Sequence, residues 1–216
     1  MLRPYKNFKL MINYIDRMAD ALIDTLKYSD SSVAWPETEH VAPDPEIKPE
    51  WFYPALQNKD CSEIVAILLY TQQTALYDKE IGDMVLGIGI VEMKHFANIR
   101  DTVVALGGTL PQPIDGKNIK LGKDVNDALS INIRSEFDTI KYYRGVKELI
   151  KSKSETAITL QAMLDKLIAD ESLHLRMFLN ELNERNGLHL IDDISETLYS
   201  EFPLLRISKE NQRSIS

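Results

Sequence analysis

Two Glu-x-x-His motifs constrain this chain more than any other feature. Glu92-Met93-Lys94-His95 and Glu171-Ser172-Leu173-His174 each place a carboxylate and an imidazole three residues apart, on one face of a helix. The chain has four histidines, His40, His95, His174 and His189, and two of them fall in this same context. Each motif lies in a segment with the pattern of a long helix, segment B at about 79–105 and segment D at about 155–186. Two more helical segments, A at about 62–77 and C at about 124–151, carry a single glutamate each. Glu63 is followed seven residues later by Tyr70, and Glu136 by Tyr143. Seven residues is two helical turns, so each tyrosine shares a face with its glutamate. The neighbours on those faces are apolar, Ile67 and Leu68 near Glu63, Ile133 and Ile140 near Glu136. A glutamate on an apolar stripe needs something to compensate its charge.

The spacing also predicts how the segments pair. Residues level with each other in an antiparallel helix pair lie equally far from the turn. The midpoint of Glu63 and Glu92 is 77.5, at Tyr77-Asp78-Lys79; that of Glu136 and Glu171 is 153.5, inside Ser152–Glu155. Both fall where composition breaks the helical pattern. Four carboxylates therefore meet at one level of an all-α four-helix bundle made of two antiparallel pairs. The second pair must start where the first did, which requires a crossover along the bundle. A 26-residue helix spans about 39 Å, and the 17 residues from 107 to 123, with Pro111, Pro113, Gly116 and Gly122, reach about 56 Å when extended.

Outside the bundle, residues 5–28 read as an amphipathic helix with Met11, Ile15, Met18, Leu22 and Leu26 on one face. Residues 29–60 hold Pro36, Pro43, Pro45, Pro49 and Pro54 and read as an extended strap whose aromatic residues dock on the body. The expected division is a helix and strap over 1–60, the bundle over 61–187 and a tail over 188–216, with a short helix near 192–202. With 9 Gly and 9 Pro in 216 residues, the chain is too poor in turn formers for a sandwich or barrel. The single Cys61 excludes a disulfide framework, a zinc ribbon and an iron–sulfur cluster. A net charge of −8 argues against general nucleic-acid binding. No apolar run reaches membrane-spanning length and no targeting signal is visible, so the expectation is a soluble cytoplasmic protein.

Four carboxylates buried together repel, and some must take up protons unless cations intervene. Two divalent ions bring +4 against the −4 of Glu63, Glu92, Glu136 and Glu171, and His95 and His174 then bind as neutral imidazoles. Mixed carboxylate and imidazole ligands suit iron or manganese.

With these residues in place, the chain resembles the ferritin-like superfamily, and within it the manganese catalase and rubrerythrin branch, over residues 61–182. SEIVAILLYTQQ is similar to the helix of manganese catalases that carries Glu…Tyr-x-x-Gln, and IGIVEMKHFANI to their Glu-x-x-His helix. IRSEFDTIKYY and IADESLHLRMF are similar to the Glu-x-x-x-Ile-x-x-Tyr and Asp-Glu-x-x-His helices of rubrerythrins. The resemblance implies that Glu63, Glu92, His95, Glu136, Glu171 and His174 ligate two metal ions, Fe or Mn, with Glu92 and Glu171 bridging. Tyr70 and Tyr143 are expected to donate hydrogen bonds to ligand carboxylates. The chain also departs from these families. One cysteine leaves no rubredoxin domain, Thr139 stands where rubrerythrins carry a further Glu, and Ser135 stands where manganese catalases carry an Arg, with Arg134 one place earlier.

Three functions fit this reading. One is an oxidoreductase acting on hydrogen peroxide, as a catalase or a peroxidase. Another is a ferroxidase or iron-handling protein that uses O2. The last is a structural or stress-associated protein that keeps the metal for stability. A homo-oligomer is expected in each.

Overall fold

The computed structural model of the chain describes residues 25–57, 61–112 and 119–186. Its α-helices are α1 (Tyr53–Gln57), α2 (Glu63–Gln73), α3 (Lys79–Ala105), α4 (Val125–Leu149) and α5 (Glu155–Asn186). The helix expected over 5–28 lies almost wholly outside the described residues, where only its end, Thr25–Lys27, forms a 3-10 turn. The tail helix lies outside them too.

Segments B and D are helical over their full expected length, and local chemistry sets their limits. The Asp78 side chain accepts from the Ile81 amide at 3.2 Å and starts α3. Gly107, at φ +80°, ends it. The Gly107 and Gly108 amides bond the Val104 and Val103 carbonyls, both at 2.9 Å, which satisfies two carbonyls that the last turn leaves open. Asp124 starts α4 by accepting from the Asp127 amide at 2.9 Å.

Segment A is shorter than its pattern predicts. It ends at Gln73 rather than Tyr77, winding down through i to i+3 bonds from Ala75 and Leu76. Tyr77 turns toward the crossover and donates its hydroxyl to the Leu121 carbonyl at 3.0 Å. Eleven residues span about 16 Å, while α3 spans about 40 Å. The length that α2 leaves bare is covered by a 3-10 turn at Pro49–Phe52 and by α1, where Phe52, Ala55 and Leu56 bury against Ile99 and Val103 of α3. The strap is therefore not extended throughout. Pro49 and Pro54 sit in the first turn of their helical pieces, where a missing amide hydrogen costs nothing.

Helix α2 pairs with α3, and α4 with α5, across breaks at 74–78 and 150–154. Two apolar clusters fill the bundle, and the four-carboxylate level lies between them. One gathers Ile140, Tyr143, Leu164 and Leu167 with the strap residues Val41 and Ile47; the other gathers Leu69, Tyr70, Ile88, Leu129 and Phe178. The strap is also pinned to the α4–α5 turn. Asp44 accepts from Ser152 Oγ at 2.9 Å and Ser154 Oγ at 2.5 Å, and Thr156 Oγ1 bonds both the amide and the carbonyl of Ala42. No described helix is long and apolar enough to cross a membrane.

Candidate metal centre

All six residues singled out in the sequence meet, and none is more than 3% exposed. Glu63 is the first residue of α2. Glu92 and His95 come from α3, Glu136 from α4, and Glu171 and His174 from α5. They form two sets. In one, single oxygen or nitrogen atoms of Glu63, Glu92, His95 and Glu171 lie within 4.8 Å of one another; in the other, those of Glu92, Glu136, Glu171 and His174 do. Glu92 and Glu171 belong to both.

The distances show why. Glu92 puts one oxygen 2.9 Å from His95 Nδ1 and the other 2.9 Å from His174 Nδ1. Glu171 does the same at 3.1 and 3.3 Å. Glu63 lies 3.7 Å from His95 Nδ1, and Glu136 lies 3.9 Å from His174 Nδ1. Each side thus has one imidazole and one outer carboxylate, and two carboxylates stand between. The tyrosines keep this symmetry but cross it. Tyr70 donates to Glu136 and Tyr143 to Glu63, each reaching the glutamate of the other hairpin rather than the one on its own helix. Leu68, expected beside Glu63, is 37% exposed and lies off the buried face.

Both histidines present Nδ1 to the cluster and Nε2 to the protein around it. His174 Nε2 lies 2.7 Å from the Tyr28 carbonyl oxygen, which only accepts, so that nitrogen carries a proton. His95 Nε2 lies 3.1 Å from Asp170 Oδ2. In a neutral His174 ring, Nδ1 is therefore a bare lone pair aimed at carboxylate oxygens. Two arrangements resolve that conflict. Either Nδ1 holds a second proton, or a cation sits between the donors.

The electrostatics describe the first arrangement. Burial disfavours an imidazolium, but the Glu92 and Glu171 charges outweigh it, pushing His174 up to about 10 and His95 well above its usual value. Burial, then the charges of Glu171 and Glu92, raise Glu63 and Glu136 well above the usual carboxylate range. Burial also opposes ionisation of Glu92, but the two imidazolium charges hold it low.

The donor set fits the second arrangement as well. Two groups of four buried oxygen and nitrogen donors share two carboxylates, which is what a pair of adjacent cations needs. The Nε2 partners fix the tautomer that leaves Nδ1 free to ligate. With His174 Nδ1 bare, Glu92 Oε1 accepts no hydrogen bond although that nitrogen lies 2.9 Å away, so two lone pairs face each other in the centre of the cluster. In the acid-rich core of a protein, that is a place for a cation.

No family profile and no curated protein sequence matches the chain. Several solved structures resemble it, among them a bacterioferritin and a manganese catalase. A bacterioferritin from Mycobacterium tuberculosis, BfrA, aligns at TM-score 0.57 and 22% identity, over 74% of this chain and 94% of that one. KatB, a manganese catalase from Anabaena, aligns at TM-score 0.53 and 23% identity, over 71% of this chain and 80% of that one. The fold is ferritin-like.

Within this ferritin-like bundle, the Gln of the Tyr-x-x-Gln pattern has a structural place. Gln73 exchanges hydrogen bonds with buried Asn132 at 3.1 and 2.8 Å and donates to the Leu121 carbonyl at 3.2 Å, tying the crossover to the bundle. Thr139 bonds back to the Ser135 carbonyl at 2.9 Å, and Arg134 is exposed, so neither brings a charge to the cluster. His40 is exposed and takes no part. His189 lies outside the described residues. Cys61 is buried, as a small apolar residue would be.

Sequence reasoning missed Asp170, Lys166 and the residues Tyr28, Ser29 and Asp30, with which the strap begins one residue earlier than expected, straight after the 3-10 turn that ends at Lys27. Lys166 Nζ is 2.8 Å from Asp170 Oδ1, and both side chains are almost wholly buried. Position 166 is one turn before Asp170 and two before His174, on the ligand face, and a lysine there is the signal that was available. The Tyr28 carbonyl left none, because a backbone acceptor has no residue type.

Proposed function

We propose that the chain is a dinuclear-metal oxidoreductase acting on hydrogen peroxide, with Glu63, Glu92, His95, Glu136, Glu171 and His174 as ligands. The observation that carries this is the pair of four-donor sets sharing Glu92 and Glu171, every member at most 3% exposed. Burial of that degree favours a substrate as small as hydrogen peroxide over a bulky organic molecule. Two bound manganese or iron ions would supply the two-electron redox chemistry that peroxide turnover requires. The residues around them handle protons and exclude side reactions. Tyr70 and Tyr143 hold hydroxyl protons against the outer carboxylates, where burial and the Glu136 charge keep Tyr70 protonated. Each proton can pass to its carboxylate or return without crossing bulk water. The apolar clusters on both sides keep water out. A homo-oligomer is part of this reading, and light scattering checks it.

The test is metal content and peroxide turnover of the full chain from cells given both manganese and iron. About two manganese per chain with O2 evolved from peroxide supports a catalase. About two iron per chain with peroxide reduced by an added donor supports a peroxidase. Iron oxidation by O2 without peroxide turnover replaces the reading with a ferroxidase, and no bound transition metal overturns it. In the active protein, Tyr70→Phe is expected to keep both metals and to lower kcat by about 10-fold or more, as loss of a positioned proton donor does. Loss of metal in that variant would make Tyr70 a structural support of Glu136.

A further inference from the structure

The outer nitrogens of both candidate ligand histidines are held by one short stretch of the strap, that of His174 by Tyr28 directly and that of His95 by Ser29 and Asp30 through Asp170. The Tyr28 carbonyl oxygen is 2.7 Å from His174 Nε2. On the other side, His95 Nε2 meets Asp170, and Asp170 accepts from the Asp30 amide at 2.5 Å and from Ser29 Oγ at 3.2 Å. Lys166 ties these pieces together. It is 2% exposed, and its ammonium, with three donor hydrogens, has three acceptors: Asp170 Oδ1 at 2.8 Å, Ser29 Oγ at 2.9 Å and the Asp30 carbonyl at 2.6 Å.

The strap is keyed as well as tied. A Cβ built on Gly87 of α3 would overlap the Tyr28 ring, so the glycine is the notch in which Tyr28 rests. Further along, the Trp35 ring stands 5.9 Å from the His95 ring, with Lys94 4.8 Å from the centre of its indole. A metal-bound imidazole needs its other nitrogen held if the ring is to stay aimed. Here one chain segment from outside the bundle does that for both rings.

Resting on the metal-site reading above, we propose that Lys166 is a positioning residue that latches the strap over the dinuclear centre, so that strap docking and metal retention are one coupled equilibrium. Coupling of this kind is reciprocal. Bound metal must shift the strap toward its docked state, and loosening the strap must weaken metal retention by a similar factor.

The test uses the full chain loaded with Mn2+ and two variants that touch no ligand. Lys166→Met removes the three donors at similar volume. Gly87→Ala displaces Tyr28 from the opposite side of the strap, and keeps the proposal testable if the first variant folds poorly. Ile81→Ala, in the core at the start of α3 and far from the strap's pins on the α4–α5 turn, is a control for general destabilisation. Two quantities are read: Mn2+ release to excess chelator, and hydrogen exchange of the Asp30 amide with and without Mn2+. In the parent chain, Mn2+ is expected to slow exchange at Asp30 at least 10-fold. Both strap variants are expected to release Mn2+ at least 10-fold faster, and Ile81→Ala to release it at the parent rate. Strap variants that exchange faster at Asp30 but release Mn2+ at the parent rate overturn the coupling and leave the metal site standing. Faster release from Ile81→Ala as well assigns the effect to global stability and also overturns it. A parent chain that binds no Mn2+ or Fe2+ overturns the metal site and the coupling together. Peroxide turnover is not read, so a metal-binding chain that fails as an enzyme still decides the question.

Discussion

Glu92→Ala is expected to reduce bound metal from about two per chain to well below one, and to abolish peroxide turnover. Glu92 lies within reach of both histidines, at 2.9 Å each, so its loss removes a donor from both sets and one of the two carboxylates between them. Metal that binds only the folded chain stabilises it by about 4 kcal/mol per site at a thousandfold excess over Kd. Losing two such contributions lowers the Tm of a chain this size by roughly 15–30 °C. Glutamine variants separate metal binding from stability of the metal-free fold. Glu92 is ionised there and faces two imidazolium groups, so Glu92→Gln leaves buried positive charge less compensated and destabilises the metal-free chain too. Burial and neighbouring charge favour protonated Glu63, so Glu63→Gln replaces one neutral group with another and costs the metal-free fold little, while still weakening metal binding. Metal analysis with thermal unfolding of both variants, metal-loaded and stripped, checks this. Two metals retained by Glu92→Ala would sink the ligand assignment.

What the sequence made legible follows from what helices repeat. The i, i+3 spacing of Glu92 with His95 and of Glu171 with His174 is a property of one helix, and the midpoints that level four glutamates need only the rise per residue. Those inferences required no tertiary knowledge, and the six side chains converge as they predict. The face rule did less well for the tyrosines. Tyr70 shares a face with Glu63, but a phenol reaches farther than its own helix, and the acceptor it meets is Glu136 of the other hairpin. Segment A also ends four residues early, because Tyr77 makes a bond to the crossover that no periodicity encodes. The strap was the least legible part. Its prolines suggest an extended path, yet helical pieces form where Phe52, Ala55 and Leu56 have core to bury against. Its contribution to the site is largely backbone: the Tyr28 carbonyl, the Asp30 amide and the Asp30 carbonyl. Residue types do not announce such bonds, whereas Lys166 on a ligand face did, and an unpaired charge is seldom buried.

Raising the pH is expected to weaken the metal-free fold and to strengthen metal binding to it. His174 carries the argument. Burial favours its neutral ring, but Glu92 and Glu171 prevail and push it up to about 10 from its usual 6.5. A folded-state value above the unfolded one means that the folded chain holds the proton more tightly. The resulting stabilisation is complete below about pH 6.5 and disappears as pH rises toward 10. His95 is raised as well and acts with the same sign. Glu63 and Glu136 are also raised, by burial first and then by neighbouring carboxylates, so their contribution is complete below about 4.5 and declines above it. Glu92 and Glu171 run the other way. Burial opposes them, but the imidazolium charges hold them low, and the stability they give is lost in acid. Metal reverses the alkaline side. It requires bare Nδ1 atoms and ionised carboxylates, so two cations displace as many as four protons, from His95, His174, Glu63 and Glu136. The difference in Tm between Mn2+-loaded and metal-free chain is expected to widen by about 10 °C or more between pH 6 and pH 9. Titration of metal-free chain with Mn2+ in weak buffer at pH 7 is expected to release more than two protons per chain. A Tm difference that stays level with pH, with no protons released, would mean that the imidazoles are neutral and the four carboxylates ionised before metal arrives, and that some other cation balances them.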